Sequence, residues 1–367
     1  MNNSIDRLLF TTKPYQDESF LGYLIRISEL NYCSNLNWIL SACGLPSVTN
    51  ATTFQEVPFK HKLPNLAKLA GVRENTLTPL FYRIDPNFPS KSKPRYDLYG
   101  SSIPTFYINH RNSRVCPNCL KQKNYLRKIW ELMPATVCLS HQCLLIDKCP
   151  ACHNFLDKKR TSISRCSCGF DFRLIKTEIL PEKELRLTTQ IFKLGGLNES
   201  CKESQLSEPL NDLNLFHLLK TMFFFASFWA ERTEFSGKIL IEQYSNLEIH
   251  KLLHFSAGIF DDFPDNFYYF LDWMRYQNNS IFSFDDVDPR TEFNKPSRSR
   301  LELFGFNFKI QFDTPRFEFI HSAFEKYPQN GLRGYYQLPE FYIEPNILKT
   351  TFLRIRKNYL ENNFSAS

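Results

Sequence analysis

The sequence predicts a mainly α protein in three parts: an N-terminal helix-turn-helix-like domain with its connector (1–109), a central twin zinc-binding module (110–176) and a helical C-terminal domain (177–367). Three observations lead there. Apolar residues recur every three or four positions near the start, as on one face of a helix. Four closely spaced Cys/Cys and Cys/His pairs crowd the middle of the chain. Beyond Lys176, Phe, Leu and Trp again fall at helical spacing, and 35 Phe within an apolar content of 43% give such helices enough to bury. That composition excludes a disordered chain, and 367 residues allow two or three domains with sizeable cores.

Residues 18–31, ESFLGYLIRISELN, bring Phe20, Leu21, Leu24, Ile25 and Leu30 to one side of a first helix, with Asp17 as its N-cap. A second short helix follows Ser34, carries Leu36, Ile39 and Leu40, and stops at Gly44-Leu45-Pro46. The stretch 63–83, LPNLAKLAGVRENTLTPLFYR, has the pattern of a helix-turn-helix. Ala67 is small where two helices cross, Gly71 suits the tight turn, and Leu66, Ala70, Val72, Leu77 and Leu80 fall at buried positions. A second helix from Glu74 to Tyr82 then exposes Arg73, Asn75 and Thr78, which makes Arg73 a candidate nucleic-acid contact. Pro79 lies inside that helix and bends it, and the exposed face offers little charge beyond Arg73 and Arg83. A hairpin that only packs therefore stands beside a groove reader. Residues 85–109, with four prolines, read as a connector.

The middle of the chain carries the chemistry. Cys116 and Cys119 form C-x2-C, Cys138 and His141 form C-x2-H, Cys149 and Cys152 form a second C-x2-C, and Cys166 and Cys168 form C-x-C. Each pair sets two donors about one turn apart, so two pairs complete a tetrahedron around Zn2+. The eight sort without remainder into one set of three cysteines with a histidine and one set of four cysteines. Both are closed, which predicts two structural zinc ions and leaves no coordination position for catalysis. Buried core cysteines explain single residues but not four pairs, and C-x2-C in a chain read as cytoplasmic argues against disulfides. Cys143 and His153 sit beside the ligands as substitutes for His141 or Cys152 but break the paired spacing. Cys33, Cys43 and Cys201 read as packed residues.

Charge concentrates in the same module. Residues 110–176 hold 13 basic against 4 acidic side chains, whereas the whole chain carries only +7. Zinc thiolate sites add local negative charge that offsets part of this excess. The densest cluster, Lys158, Lys159 and Arg160, fits contact with a phosphate backbone, and a solvated face explains the same charge. After Lys176 the periodicity predicts helices over 210–230 and 246–257, a third opened by Pro264 and a fourth by Pro315, with 279–300 as a loop.

No phosphate-cradling G-x4-G-K-[ST] loop and no G-x-G-x-x-G occur. The pairs Asp261-Asp262 and Asp285-Asp286 are the remaining Mg2+ candidates, and their turn context favours capping. No apolar run approaches membrane length, and MNNSIDRLLF has no extended apolar core, so a soluble, cytoplasmic protein without enzyme activity is expected.

Together with PYQDESFLGYLIRISELN, the zinc segment resembles the TniQ/TnsD family of transposon target-selection proteins. The matching elements are Pro14, Glu18-Ser19-Phe20 and Arg26, the Thr76-Leu77 step, Cys116-Pro117-Asn118-Cys119, Trp130, Cys138 to His141, Cys149 to Cys152, and Cys166 to Gly169. The resemblance covers roughly residues 10–175. It implies a non-catalytic adaptor of TnsABC-type, CRISPR-associated transposons that marks a target and recruits the AAA+ regulator TnsC. TniQ-type members ride on an RNA-guided Cascade–crRNA complex, whereas TnsD-type members bind a fixed attachment-site DNA directly. The end at Ser367, after the basic stretch ILKTTFLRIRKNYLENN, is read as favouring the shorter TniQ type, and the TnsD-like middle favours direct DNA binding. TnsC, Cascade or target DNA, and a second copy in a homodimer are the expected partners; a zinc-containing nuclease is the rival from another class.

Overall fold

Ser19, not Asp17, starts the first helix. Its hydroxyl accepts the Gly22 N–H at 3.0 Å and caps α1 (Phe20–Leu30), which buries Phe20, Leu21, Leu24, Ile25 and Ile27. Asp17 is drawn away by stronger partners: Arg127 Nε at 2.6 Å and the Tyr125 hydroxyl at 2.9 Å. This computed structural model describes residues 7–45, 62–88, 95–98, 100–109, 112–158, 160–197, 205–229, 244–272 and 317–327.

α2 (Leu36–Ala42) follows, capped by Asn35, and buries Leu36, Ile39 and Leu40 as its spacing predicts. α3 (Leu63–Ala70) ends on Gly71 at φ 66°, where the Arg7 guanidinium packs so closely that a Cβ would meet its Nε at 2.5 Å. The next helix departs from expectation. α4 (Glu74–Leu77) has four residues, and Thr78–Leu80 continues only as a 3-10 turn. Pro79 has no N–H to give to the residue four before it, so the helix cannot reach Tyr82. Leu66, Ala70, Leu77 and Leu80 are buried as their spacing predicts, whereas Val72, also expected inside, is half-buried.

The expected connector instead holds a small antiparallel sheet, β1 (Arg83–Ile84), β2 (Arg95–Leu98) and β3 (Ser101–Pro104), with Tyr96 opposite Ile103 and both fully buried. The prolines of this stretch are compatible with it because Pro86 lies outside the strands and Pro104 at the end of β3, where no interior ladder donor is lost. The metal module adds α5 (Pro117–Gln122) and the hairpin β4 (Val137–Cys138) and β5 (Cys143–Leu144). Helices then dominate, as predicted: α6 (Glu182–Leu194), α7 (Glu208–Asn211), α8 (Leu215–Trp229), α9 (Asn246–Gly258), α10 (265–272) and α11 (Glu318–Lys326). The helix expected over 210–230 is two, α7 and α8. Among the described residues, no helix is long and apolar enough to cross a membrane.

The chain divides into two compact units, Met1–Gln205 with Asn214–His254, and Leu206–Leu213 with Phe255–Ser367. Buried polar ties run through the first unit. Arg114, 4% exposed, gives Nε to the Trp130 carbonyl at 2.7 Å, and Nη1 to the Met133 carbonyl at 3.0 Å and to Asn246 Oδ1 at 2.8 Å. Its Nη2 reaches the Leu132 carbonyl at 2.5 Å. Asn246 in turn donates its amide to the carbonyls of Thr136 and Leu145, each at 2.8 Å, and its backbone N–H to Asp147 at 2.6 Å. Ser245 and Glu248 close a capping box at the same helix end, which fixes where α9 begins. One turn on, His250 sits between Thr136 Oγ1 at 2.9 Å and Glu184 at 2.8 Å, joining α6, α9 and the metal module. The second unit is aromatic: Phe260, Phe263, Phe267 and Phe319 form one ring cluster, and Tyr268 packs on Tyr327, whose hydroxyl donates to Asp272.

Burial lowers Arg114 only to about 10, so it stays charged near neutrality. Arg114→Met strands three carbonyls, the Asn246 oxygen and the buried Asp147, and should cost about 3–5 kcal/mol in urea unfolding. Arg173→Met, which breaks a half-exposed pair with Asp171, should cost about 1 kcal/mol or less. Equal losses would refute the role given to Arg114.

Candidate metal centre

Each pair of donors is set by a different local device. Cys116 is the N-cap of α5, its sulfur accepts the Cys119 N–H at 3.5 Å, and Pro117 takes the first helical position, where no donor is needed. Cys138 ends β4, and His141 lies in the turn before β5, with Gln142 at φ 48°. In the second pair set, Cys149 N–H bonds the Asn154 carbonyl at 2.9 Å and His153 N–H bonds the Cys149 carbonyl at 2.8 Å, with His153 itself at φ 59°. Cys166 N–H bonds the Phe170 carbonyl at 2.9 Å and Gly169 N–H bonds the Cys166 carbonyl at 2.8 Å, and Gly169 at φ 92° makes that turn possible.

These turns bring the eight donors into two groups, Cys116, Cys119, Cys138 and His141, and Cys149, Cys152, Cys166 and Cys168. Within each group all ligand atoms lie within 4.8 Å of one another. A tetrahedron with metal–sulfur bonds of about 2.3 Å has sulfur–sulfur edges of roughly 3.8 Å, and a ring nitrogen at about 2.0 Å gives sulfur–nitrogen edges of roughly 3.5 Å. The first group has Cys119–Cys138 at 3.5 Å and His141 Nδ1 at 3.5, 3.3 and 3.5 Å from Cys116, Cys119 and Cys138. The second has Cys149–Cys168 at 3.7 Å and Cys152–Cys166 at 3.8 Å. Both sets fit zinc, and their soft thiolates with a single imidazole disfavour Mg2+ or Ca2+. Mutual bonding couples the three thiols of the first set, driving Cys116 down and Cys119 up. A dication would stabilise all three as thiolates.

Gln122 gives no sign of a role in the sequence pattern, yet its amide lies 3.0 Å from His141 Nε2. With Nδ1 toward the sulfurs, the ring proton is on Nε2, and the amide accepts it when turned to present its oxygen. The available signal was its position three residues after Cys119, one turn along α5. Cys143 belongs to neither group, although its sulfur approaches Cys116 to 3.7 Å, and exposed His153 also stays outside.

Two members of the basic cluster are buried. Lys158 and Arg160 are 5% and 3% exposed. Lys158 Nζ donates to the Asn109 carbonyl at 2.7 Å, while Arg160 holds the carbonyls of Ser162 and Asp157, each at 3.0 Å, and lies over the Phe172 ring. These long cationic side chains fold inward and satisfy carbonyls of their own loop and of the segment before the module. Lys159 lies outside the described residues. Arg73 is exposed at the start of α4, as expected. Asp261 and Asp262 join no donor group among the described residues, and Asp285-Asp286 and Arg356 fall outside them.

α1 sits directly on this centre. Glu18, wholly buried, holds Arg26 through two bonds of 2.8 and 2.7 Å, and Ser19 N–H bonds the Leu126 carbonyl at 2.8 Å. Lys128 N–H bonds the Asp17 carbonyl at 2.7 Å, Tyr15 stacks on Tyr125 at 4.3 Å, and Gly22 leaves room for Leu126, which a Cβ would meet at 2.8 Å. The segment between the first two donor pairs is thus the seat of the N-terminal helix.

A helical domain seated on closed Cys/His knuckles defines a metal-knuckle protein. Comparison with known families matches one segment: residues 9–145 are a TniQ family domain, a span from before α1 through β5 that includes the whole first centre and stops short of the second. A TniQ domain implies an association with transposition, and TniQ family proteins are in general non-catalytic transposition factors. No curated protein gives a significant match.

Two zinc ions per chain are expected by elemental analysis. Cys149→Ser should remove about one of them and lower the unfolding midpoint, since binding energy here is folding energy. Wild-type protein holding fewer than about 1.5 zinc, on closed four-ligand stoichiometry, would refute the pairing. Lys158→Ala and Arg160→Ala should each cost about 1–3 kcal/mol in stability by stranding carbonyls. The salt slope of any nucleic-acid binding should stay unchanged. A slope shallower by about 0.9 per cation would place them on phosphates.

Proposed function

We propose that the protein is a non-catalytic target-selection adaptor of transposition, joining a target-bound, RNA-guided Cascade complex to the AAA+ regulator TnsC. The observation that carries this reading is the TniQ domain at 9–145, built on a metal centre whose four donors are all protein groups. A site closed in this way fixes shape and leaves no coordination position for water or substrate. Zinc, when bound, would supply cross-linking and nothing else. The residues around it orient: Asp17, Glu18 and Ser19 set α1 on the knuckle loop, and Arg114 with Asn246 sets α9.

Two observations favour recruitment by a guide complex over direct reading of an attachment site. α4 is a single turn followed by Pro79, too short to lie along a major groove with several residues at base edges. Lys158 and Arg160, of the densest basic cluster in the sequence, are turned inward. The TnsD-type alternative keeps one support, the exposed Arg73 at the α3–α4 turn.

The test is co-purification of the full chain with a crRNA-loaded Cascade complex and with TnsC. Retention on both, with no DNA cleavage in Mg2+ or Mn2+, is the expected result. Tight binding of one duplex sequence by the protein alone, weakened at particular base pairs by Arg73→Ala, would establish the TnsD-type reading instead. Metal-dependent cleavage abolished by changing Asp261 or Asp285 would make it a nuclease.

A further inference from the structure

The hairpin that carries Cys138 and His141 places a further thiol beside the first centre. Cys143 lies directly opposite Cys138 in the antiparallel pair β4–β5. Residues directly opposite each other project from the same face, so Cys143 rises on the side of the hairpin that faces the metal ligands. Its sulfur is 3.7 Å from Cys116 Sγ, close to the edge of a tetrahedral thiolate site, and the residue is 1% exposed. His141, in contrast, reaches the site from the half-exposed turn of the hairpin, steadied at Nε2 by the exposed Gln122. Four donors already converge and Cys143 is not one of them, so with His141 in place it is a neighbour and not a ligand. The Thr177 hydroxyl bonds Cys143, and the Cys143 S–H remains free to point at Cys116.

We propose that Cys143 is a reserve donor of the first centre: it gives its S–H to the Cys116 sulfur while His141 is bound, and when His141 is withdrawn it releases that proton to solvent and takes the fourth coordination position as a thiolate. The centre then changes from three sulfurs and one nitrogen to four sulfurs without releasing its metal. A cysteine that merely fills the core would do neither. The inference rests on reading the first cluster as a zinc site, and that reading stands or falls separately on the zinc content of the wild-type chain.

The full chain is prepared with zinc for stoichiometry and with Co2+ for spectroscopy, because thiolate-to-cobalt charge-transfer absorption scales with the number of bound thiolates. Wild type should show seven thiolates over its two centres, three from the first and four from the second. His141→Ala should keep two metals per chain and raise the charge-transfer intensity from seven thiolates toward eight. His141→Ala combined with Cys143→Ala should drop to one metal. A His141→Ala single variant that falls to one metal, or keeps two with no added thiolate, overturns the proposal. So does a double variant that still holds two. Should the His141 variants not fold, Cys143→Ala alone decides: losing the S–H bond to Cys116 should move the charge-transfer band to lower energy with both metals retained, and an unmoved band overturns the proposal.

Discussion

The first unit depends on one sealed guanidinium. Arg114 has almost no contact with water, yet its charge is met by three carbonyls of a single loop, by Asn246 and by the nearby Asp147 carboxylate. Such a group gains little stability on balance, because desolvation offsets most of the attraction. What it adds is uniqueness. The carbonyls of Trp130, Leu132 and Met133 can converge on one side chain in only one backbone arrangement, and that arrangement carries Tyr125 and Arg127 to Asp17 on the α1 side. Asn246 extends the constraint to α9 by committing its whole amide to Thr136, Leu145 and Arg114. Loop, hairpin and helix are thereby fixed together through polar groups that admit no sliding.

The metal centres and this network are complementary. Among the described residues between Asn112 and Leu174, regular structure amounts to one short helix, a two-residue hairpin, 3-10 turns and isolated bridges, so few backbone hydrogen bonds hold the segment. Closed Cys/His sites cross-link what the few ladders do not hold. The inward turn of Lys158 and Arg160 follows from the same shortage. Their charged ends cap carbonyls that no ladder satisfies. A basic excess counted from sequence is then only partly a surface property, and part of the module's charge is structural.

The two donor clusters were legible because their chemistry is encoded in spacing: each pair is local, and local geometry follows from local sequence. The helices α1, α2 and α9 were legible for a similar reason, since periodicity shows a buried face wherever the partner lies. What stayed hidden is relational. Nothing local tells Asp17 that Arg127 will arrive from 110 residues away, and so nothing local prefers Ser19 as the cap. Pro79 is recognisable as a helix breaker, but the outcome, a single turn instead of a bent recognition helix, needed the surrounding packing to decide it. The sheet between Arg83 and Pro104 is hidden because its short strands carry too few alternations to stand out against prolines and lysines.

This architecture also governs how changes in the chain translate into function. Because α1 is seated on the loop between the first two donor pairs, losing a ligand such as Cys119 would disturb the N-terminal helices as well as the knuckle. Defects from ligand variants therefore cannot be assigned to a surface contacted by the metal module itself. Glu18 and Arg26 behave alike: burial raises the Glu18 carboxyl despite Arg26 beside it, so removing the guanidinium leaves a carboxylate that must either ionise without a partner or take up a proton. Exposed positions carry the opposite meaning. Arg73 and Arg83 hold side chains outward on the helical domain, and their replacement would leave the centres and the Arg114 network intact. Loss of partner binding at such positions, with metal content unchanged, is what separates a docking surface from the scaffold that supports it.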